Sequence, residues 1–159
     1  MNTIKLQNRD LANIYQLLEN LGVDGYKNKR GKGKLQRNIK AKYEEYIEDL
    51  KVIQEEHFQK DEEGNFKQER NAQGQMAFVW LDKWVDDIEQ KKKANEATQE
   101  LADEVVVIDI VENETKIKTF FDAVCEDEFT AKEGFKDEPF DILMDALEET
   151  FENNKEEEN

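Results

Sequence analysis

Residues 25–53, GYKNKRGKGKLQRNIKAKYEEYIEDLKVI, decide the fold. In their later part Leu35, Ile39, Tyr43, Tyr46, Leu50 and Ile53 recur at spacings of four and three, the period that gathers side chains onto one helical face. That spacing predicts a long amphipathic helix over residues 34–59. The earlier part holds Gly25, Gly31 and Gly33, and glycine is poorly suited to a helix interior. It predicts a mobile basic loop leading into the helix. Across residues 27–42 stand eight of the chain's 23 basic side chains and no carboxylate: Lys27, Lys29, Arg30, Lys32, Lys34, Arg37, Lys40 and Lys42. The formal net charge of the whole is −16, so this segment is a local inversion of sign. Cations at the start of a helix also oppose its dipole, and an anion bound at that N-terminus relieves the mismatch.

Outward from this stretch, Ile4 and Leu6 alternate with polar neighbours as in a short strand. Asn8 suits a helix N-cap, Leu11, Ile14, Tyr15 and Leu18 follow at helical spacing, and Gly22 suits the C-terminal cap, giving a helix over 9–20. Gly64 and Gly74 mark two turns and an exposed hairpin near 62–76. Trp80, Leu81, Trp84, Val85 and Ile88 read as the start of another helix running toward Leu101, with both tryptophans on its packed face. Residues 105–111 are β-branched except for Asp109 and form the clearest strand, expected to pair with residues 4–6. Ile117, Phe120, Phe121 and Val124 outline a short amphipathic element. Pro139 fits the first turn of a last helix that carries Ile142, Leu143, Ala146, Leu147 and Phe151 on one side. The expected class is α+β and mostly helical, with one domain over 1–151 and an acidic, disordered tail over 152–159.

With 159 residues, 39% of them charged, the chain has room for one modest core. No run approaches the length of a membrane-spanning helix. A single Cys125 and the absence of a signal-like N-terminal run point to a reducing cytoplasm.

Gly31-Lys32-Gly33-Lys34 invites comparison with a phosphate loop, but GxxxxGK followed by Ser or Thr is not matched and no strand precedes it. Asp61, Glu63 and Asn65 imitate the opening of a calcium loop, yet Phe66 and Ala72 occupy the positions that need Gly and Glu, so a turn is expected. His57, the sole histidine, lies four residues before Asp61, and one such carboxylate–imidazole pair falls short of a zinc set. Cys125 is flanked by Glu126 and Asp127, which disfavour its thiolate. No cofactor or metal is expected, and no catalytic motif stands out. The candidate ligand-binding set is Tyr26, Lys27, Lys29, Arg30, Lys32, Lys34, Arg37, Lys40 and Tyr43, with the cations for phosphate and a tyrosine for stacking.

Five segments carry a resemblance: Leu6-Gln-Asn-Arg-Asp-Leu11, the glycine-lysine stretch before the long helix, Lys60-Asp-Glu-Glu-Gly-Asn-Phe66, Glu100-Leu-Ala-Asp-Glu-Val-Val-Val-Ile-Asp-Ile110 and Pro139-Phe-Asp-Ile-Leu-Met-Asp-Ala-Leu-Glu148. The chain resembles a family of small uncharacterised accessory proteins of phages and prophages from Gram-positive bacteria. This implies a phage protein that acts in the cytoplasm of the infected host or in virion assembly. With the missing catalytic motifs, the leading expectation is a non-enzymatic counter-defence protein that sequesters a phosphorylated small molecule, such as a nucleotide immune signal, through residues 27–42. Two rivals are a tail or virion-assembly accessory protein docking through Trp80 and Trp84, and an acidic inhibitor of a host nucleic-acid-binding protein. A host defence protein is thus an alternative partner and a homo-oligomer an open one. The overall negative charge disfavours direct nucleic-acid binding.

Overall fold

The structure is a computed structural model that describes residues 2–152. In chain order the elements are β1 (Thr3–Gln7), α1 (Asn8–Glu19), β2 (Leu21–Gly22), α2 (Tyr26–His57), β3 (Gln68–Arg70), β4 (Met76–Phe78), α3 (Ile88–Asp103), β5 (Val105–Asp109), α4 (Glu114–Cys125), β6 (Thr130–Ala131) and α5 (Asp137–Glu152). Helix dominates and the strands are short, so the α+β, mostly helical class holds. The chain divides into two compact units, one built from the sequence up to Glu45 and again from Asp103 onward, the other from Tyr46–Ala102. Apart from Glu152, the expected acidic tail lies outside the described residues.

The first unit is organised by the strand that the β-branched run predicts. β5 pairs antiparallel with β1 in the register Thr3↔Asp109, Lys5↔Val107 and Gln7↔Val105, with Ile4↔Ile108 and Leu6↔Val106 between them. Because side chains alternate across a strand, Ile4, Leu6 and Ile108 fall on one face and are buried. They join Leu11, Ile14 and Leu18 of α1, Ile117 and Phe120 of α4, and Leu143, Leu147 and Phe151 of α5 in one core. Each such side chain contributes about 1.5–3 kcal/mol by leaving water. The ends are also tied, since the Thr150 hydroxyl of α5 donates to the Thr3 carbonyl at 2.7 Å. Gly22 does not cap α1, which ends at Glu19 with Asn20 as its C-cap; it pairs instead with Thr130 in the β2–β6 ribbon.

α2 starts at Tyr26, a full two turns before the expected boundary, and the glycine-lysine segment is helical rather than a mobile loop. The reason lies in packing. Gly31 is buried against α4, where an added Cβ would collide with the Lys116 carbonyl oxygen and come within 2.9 Å of Phe120 Cβ. Leu35 and Ile39, four and eight residues on, follow Gly31 on the same face and are fully buried. Gly33, by contrast, has nothing within 4 Å of where its Cβ would be. One glycine is demanded by a close backbone approach; the other only weakens the helix, by about 1 kcal/mol relative to alanine.

The second unit contains the end of α2, three extended segments, and α3. Gln59, Lys67 and Val79 close a ring of backbone bonds: Lys67 N–H donates to Gln59 (2.9 Å), Val79 N–H to Lys67 (3.1 Å) and Gln59 N–H to Val79 (2.8 Å). Two matching turns connect the segments. Asp61 Oδ1 accepts from the N–H groups of Glu63 and Asn65, and Asn71 Oδ1 accepts from Gln73 and Gln75. Gly64 and Gly74 supply the positive φ each turn needs, 85° and 77°. The expected hairpin is therefore present as β3–β4, turning at Asn71–Gly74, and the calcium-like string forms the preceding turn, between Lys60 and Phe66. Trp80 and Trp84 do not share a helical face. Trp80 bridges to Phe58, Trp84 lies in a single 3-10 turn, and α3 starts only at Ile88, where the Asp87 carboxylate accepts from Gln90 N–H at 3.0 Å. Ile88, expected on the packed face, is 81% exposed.

Candidate functional site

The α2 helix sorts the basic residues by face. Gly31, Leu35 and Ile39 occupy the buried side, so Lys27, Arg30, Lys34 and Arg37, spaced by three, four and three, lie along another. At 1.5 Å per residue this stripe spans about 15 Å. Lys29 and Lys40 flank it and are exposed. Tyr26, 70% exposed, stands at its N-terminal end, the helix end whose backbone N–H groups favour an anion. No acid lies in the first turn of α2.

Pairing then separates the nine candidates. Among the described residues no ion pair is formed by Lys27, Lys29, Arg30, Lys34 or Arg37, whereas Lys40 lies 4.0 Å from Glu44. Lys42, also in the basic run, pairs with Glu45 at 3.2 Å. Lys32 turns toward the body of the unit and donates to the Leu21 carbonyl at 3.0 Å. Partial burial, helped by the neighbouring Lys132 and Lys29, holds the Lys32 ammonium below the usual lysine range, although Glu19 opposes the shift. Tyr43 packs half-buried against the core and offers no open face like that of Tyr26. Thus Tyr26, Lys27, Lys29, Arg30, Lys34 and Arg37 form one accessible array, and Lys32 and Tyr43 serve the fold.

Lys132, the residue after β6, is the cation that sequence reading missed. It approaches Lys32 closely enough to lower that group's pKa, yet it lies a hundred residues away in sequence, with no periodicity to link them. A second feature also escaped notice: a cavity of about 250 Å³ between α1 and α5, lined by Asp10, Asn13, Ile14, Lys136, Glu138, Pro139 and Ile142. Burial pushes the Asp10 carboxyl above its ordinary range; Arg9 acts against this and Glu138 adds to it.

The remaining candidates are accounted for by structure. Buried His57 faces the Ile53 carbonyl through Nδ1 at 2.7 Å and Gln90 Nε2 through Nε2 at 2.9 Å, so both ring nitrogens are engaged when Nδ1 carries the proton. Trp80 stands edge-on to it at 6.2 Å. Cys125 is exposed, and desolvation with the Glu148, Asp122, Glu152 and Glu126 carboxylates pushes its thiol upward. Among the described residues no group of three or more His, Cys, Asp and Glu is placed to hold a metal ion, and no helix is long and apolar enough to cross a membrane.

No curated protein and no solved structure matches the chain. A family model described as "Protein of unknown function (DUF1617)" matches residues 2–158, and with nearly the whole sequence so covered the chain belongs to that family.

Proposed function

We propose that this protein is a non-enzymatic binding protein that grips a phosphorylated ligand on the exposed stripe of α2. The observation that carries the reading is the set of five clustered cations, Lys27, Lys29, Arg30, Lys34 and Arg37, that have no ion-pair partner among the described residues of a chain with 39 acids. Acids were available to neutralise them, and they remain open. Arg30 and Arg37 can each hold phosphate oxygens through two parallel N–H bonds, Lys27, Lys29 and Lys34 add point charge, and Tyr26 offers a face on which a base can stack. In this reading the ligand is held by charge and stacking and is not turned over.

The resemblance to phage and prophage accessory proteins supports a setting for this grip. In the cytoplasm of an infected host, a protein that binds a nucleotide immune signal without consuming it lowers the free signal and acts as counter-defence. The test uses the purified protein: denature it, remove the polypeptide and measure absorbance near 260 nm in the filtrate, then measure thermal shifts with a panel of nucleotide signals. Release of a nucleotide, or a shift with one of the panel, is the expected result. The absence of both release and shift would sink the reading.

A further inference from the structure

Gly31 and Gly33 both stand inside α2, where glycine weakens a helix, and only Gly31 has a reason within the fold. A Cβ at Gly31 would strike α4, whereas one at Gly33 would meet nothing within 4 Å. Gly33 also lacks the positive φ that calls for glycine. Its place on the helix suggests a use outside the fold. The residues around any helical position i are i−4, i−3, i+3 and i+4, which for Gly33 are Lys29, Arg30, Gln36 and Arg37. Lys29, Arg30 and Arg37 belong to the cations without an ion pair among the described residues, and Gln36 donates to the Glu19 carboxylate at 2.8 Å. Side chains on a helix lean toward its N-terminus, which brings Arg37 back toward the bare backbone at Gly33. Tyr26 precedes Gly33 by seven residues, so it lies on nearly the same line of the helix, about 10 Å nearer the N-terminus.

We infer that Gly33 is the seat for a phosphate group in the grip proposed above, the reading on which this rests. The phosphate lies against the helix backbone at Gly33, between Arg30 and Arg37, and the rest of the ligand runs along α2 toward Tyr26. Arg30 and Arg37 are themselves about 10 Å apart along the helix, so one phosphate meets both guanidinium groups most directly when it sits low between them. Glycine is the residue that lets a backbone approach a ligand this closely, and a methyl at position 33 would occupy the seat and lift the phosphate off the helix. With a phosphate at Gly33 and a base on Tyr26, the span fits a nucleoside diphosphate, its terminal phosphate at Gly33 and its base toward the start of α2. Gly33 is then a positioning residue: it touches the phosphate through bare backbone and sets how closely Lys29, Arg30 and Arg37 can hold it.

Calorimetric titration of adenosine diphosphate and of inorganic pyrophosphate into the unmodified full chain, Gly33→Ala and Tyr26→Ala, with urea unfolding of each protein, tests the inference. Both probes are expected to bind the unmodified protein. Gly33→Ala raises the dissociation constant for both at least about fivefold while raising the urea midpoint, a combination that a glycine with a merely structural role does not give. Tyr26→Ala weakens the nucleotide and leaves pyrophosphate unchanged. A smaller loss in Gly33→Ala, or a Tyr26→Ala protein that loses pyrophosphate as well, overturns the inference and leaves the phosphate grip standing. No binding of either probe to the unmodified protein overturns both.

Discussion

Several cations of the second unit and those at the start of α2 are put to different uses. Between Tyr46 and Ala102, Lys51 and Lys60 both reach Glu55 (3.9 and 2.7 Å), Lys92 reaches Glu96 (3.8 Å), and Lys83 and Lys91 lie over the rings of Trp84 and Trp80 at 4.9 and 5.5 Å. Lys60 also sits 5.3 Å above Phe66. Its pairing lets the Glu55 carboxyl fall below the usual range through the Lys60 hydrogen bond and charge. These lysines are part of how a small aromatic-rich unit holds together. On the first part of α2 five cations have no such role, and the same helix keeps the adjoining side for packing through Gly31, Leu35 and Ile39. The lesson is that charge count is uninformative until partners are assigned: cations that stabilise the fold and cations left for something else look alike in sequence.

Substitutions can break or sharpen this contrast. The largest expected effect is on the packed side of α2, where Gly31→Ala drives a methyl into the Lys116 carbonyl and forces α2 away from α4. Overpacking of this kind costs about 1–3 kcal/mol, read as a lower midpoint in urea. Gly33→Ala, two residues on and facing open space, has the opposite sign and raises stability by about 0.5–1 kcal/mol. If both substitutions act alike, the packing account of α2 is wrong. Next comes Lys27→Glu, which puts an acid where the helix dipole favours one. It stabilises by about 0.3–1 kcal/mol at low salt while weakening anion binding, a trade expected of a functional cation and not of a structural one. Lys60→Ala in the second unit behaves in reverse, lowering the thermal midpoint and leaving anion binding unchanged. The smallest effect is chemical. Because its pKa is raised, Cys125 carries less thiolate at neutral pH than free cysteine, so it alkylates more slowly despite its exposure, and its rate profile lies at higher pH.

Much of the fold was legible because its signals are local. The valine run at 105–109 announces β5, its pairing with β1 follows from two alternating strands, and Pro139 with its helical stripe places α5. The paired Asp61–Gly64 and Asn71–Gly74 turns are equally local. What could not be read depends on distant partners. Gly31 and Gly33 argue against helix until Lys116 and Phe120 are known to lie against the first. Trp80 and Trp84 suit a helical stripe in sequence, but Phe58 draws the first into an extended bridge and the Glu56 carbonyl accepts the indole N–H of the second at 3.1 Å. The candidate site divides along the same line: the basic stripe was visible from composition, whereas the diversion of Lys32 to the Leu21 carbonyl and the arrival of Lys132 required the fold.

The central claim is that the open face of α2 holds a phosphorylated ligand. Calorimetric titration of nucleotide signals into the unmodified protein and into Arg30→Glu with Arg37→Glu, at low and high salt, tests it most directly. The account predicts binding that weakens as salt rises and is lost in the double variant, with the thermal midpoint preserved because neither arginine forms an ion pair within the described chain. A ligand that binds both proteins equally, or no binding to either, would contradict it.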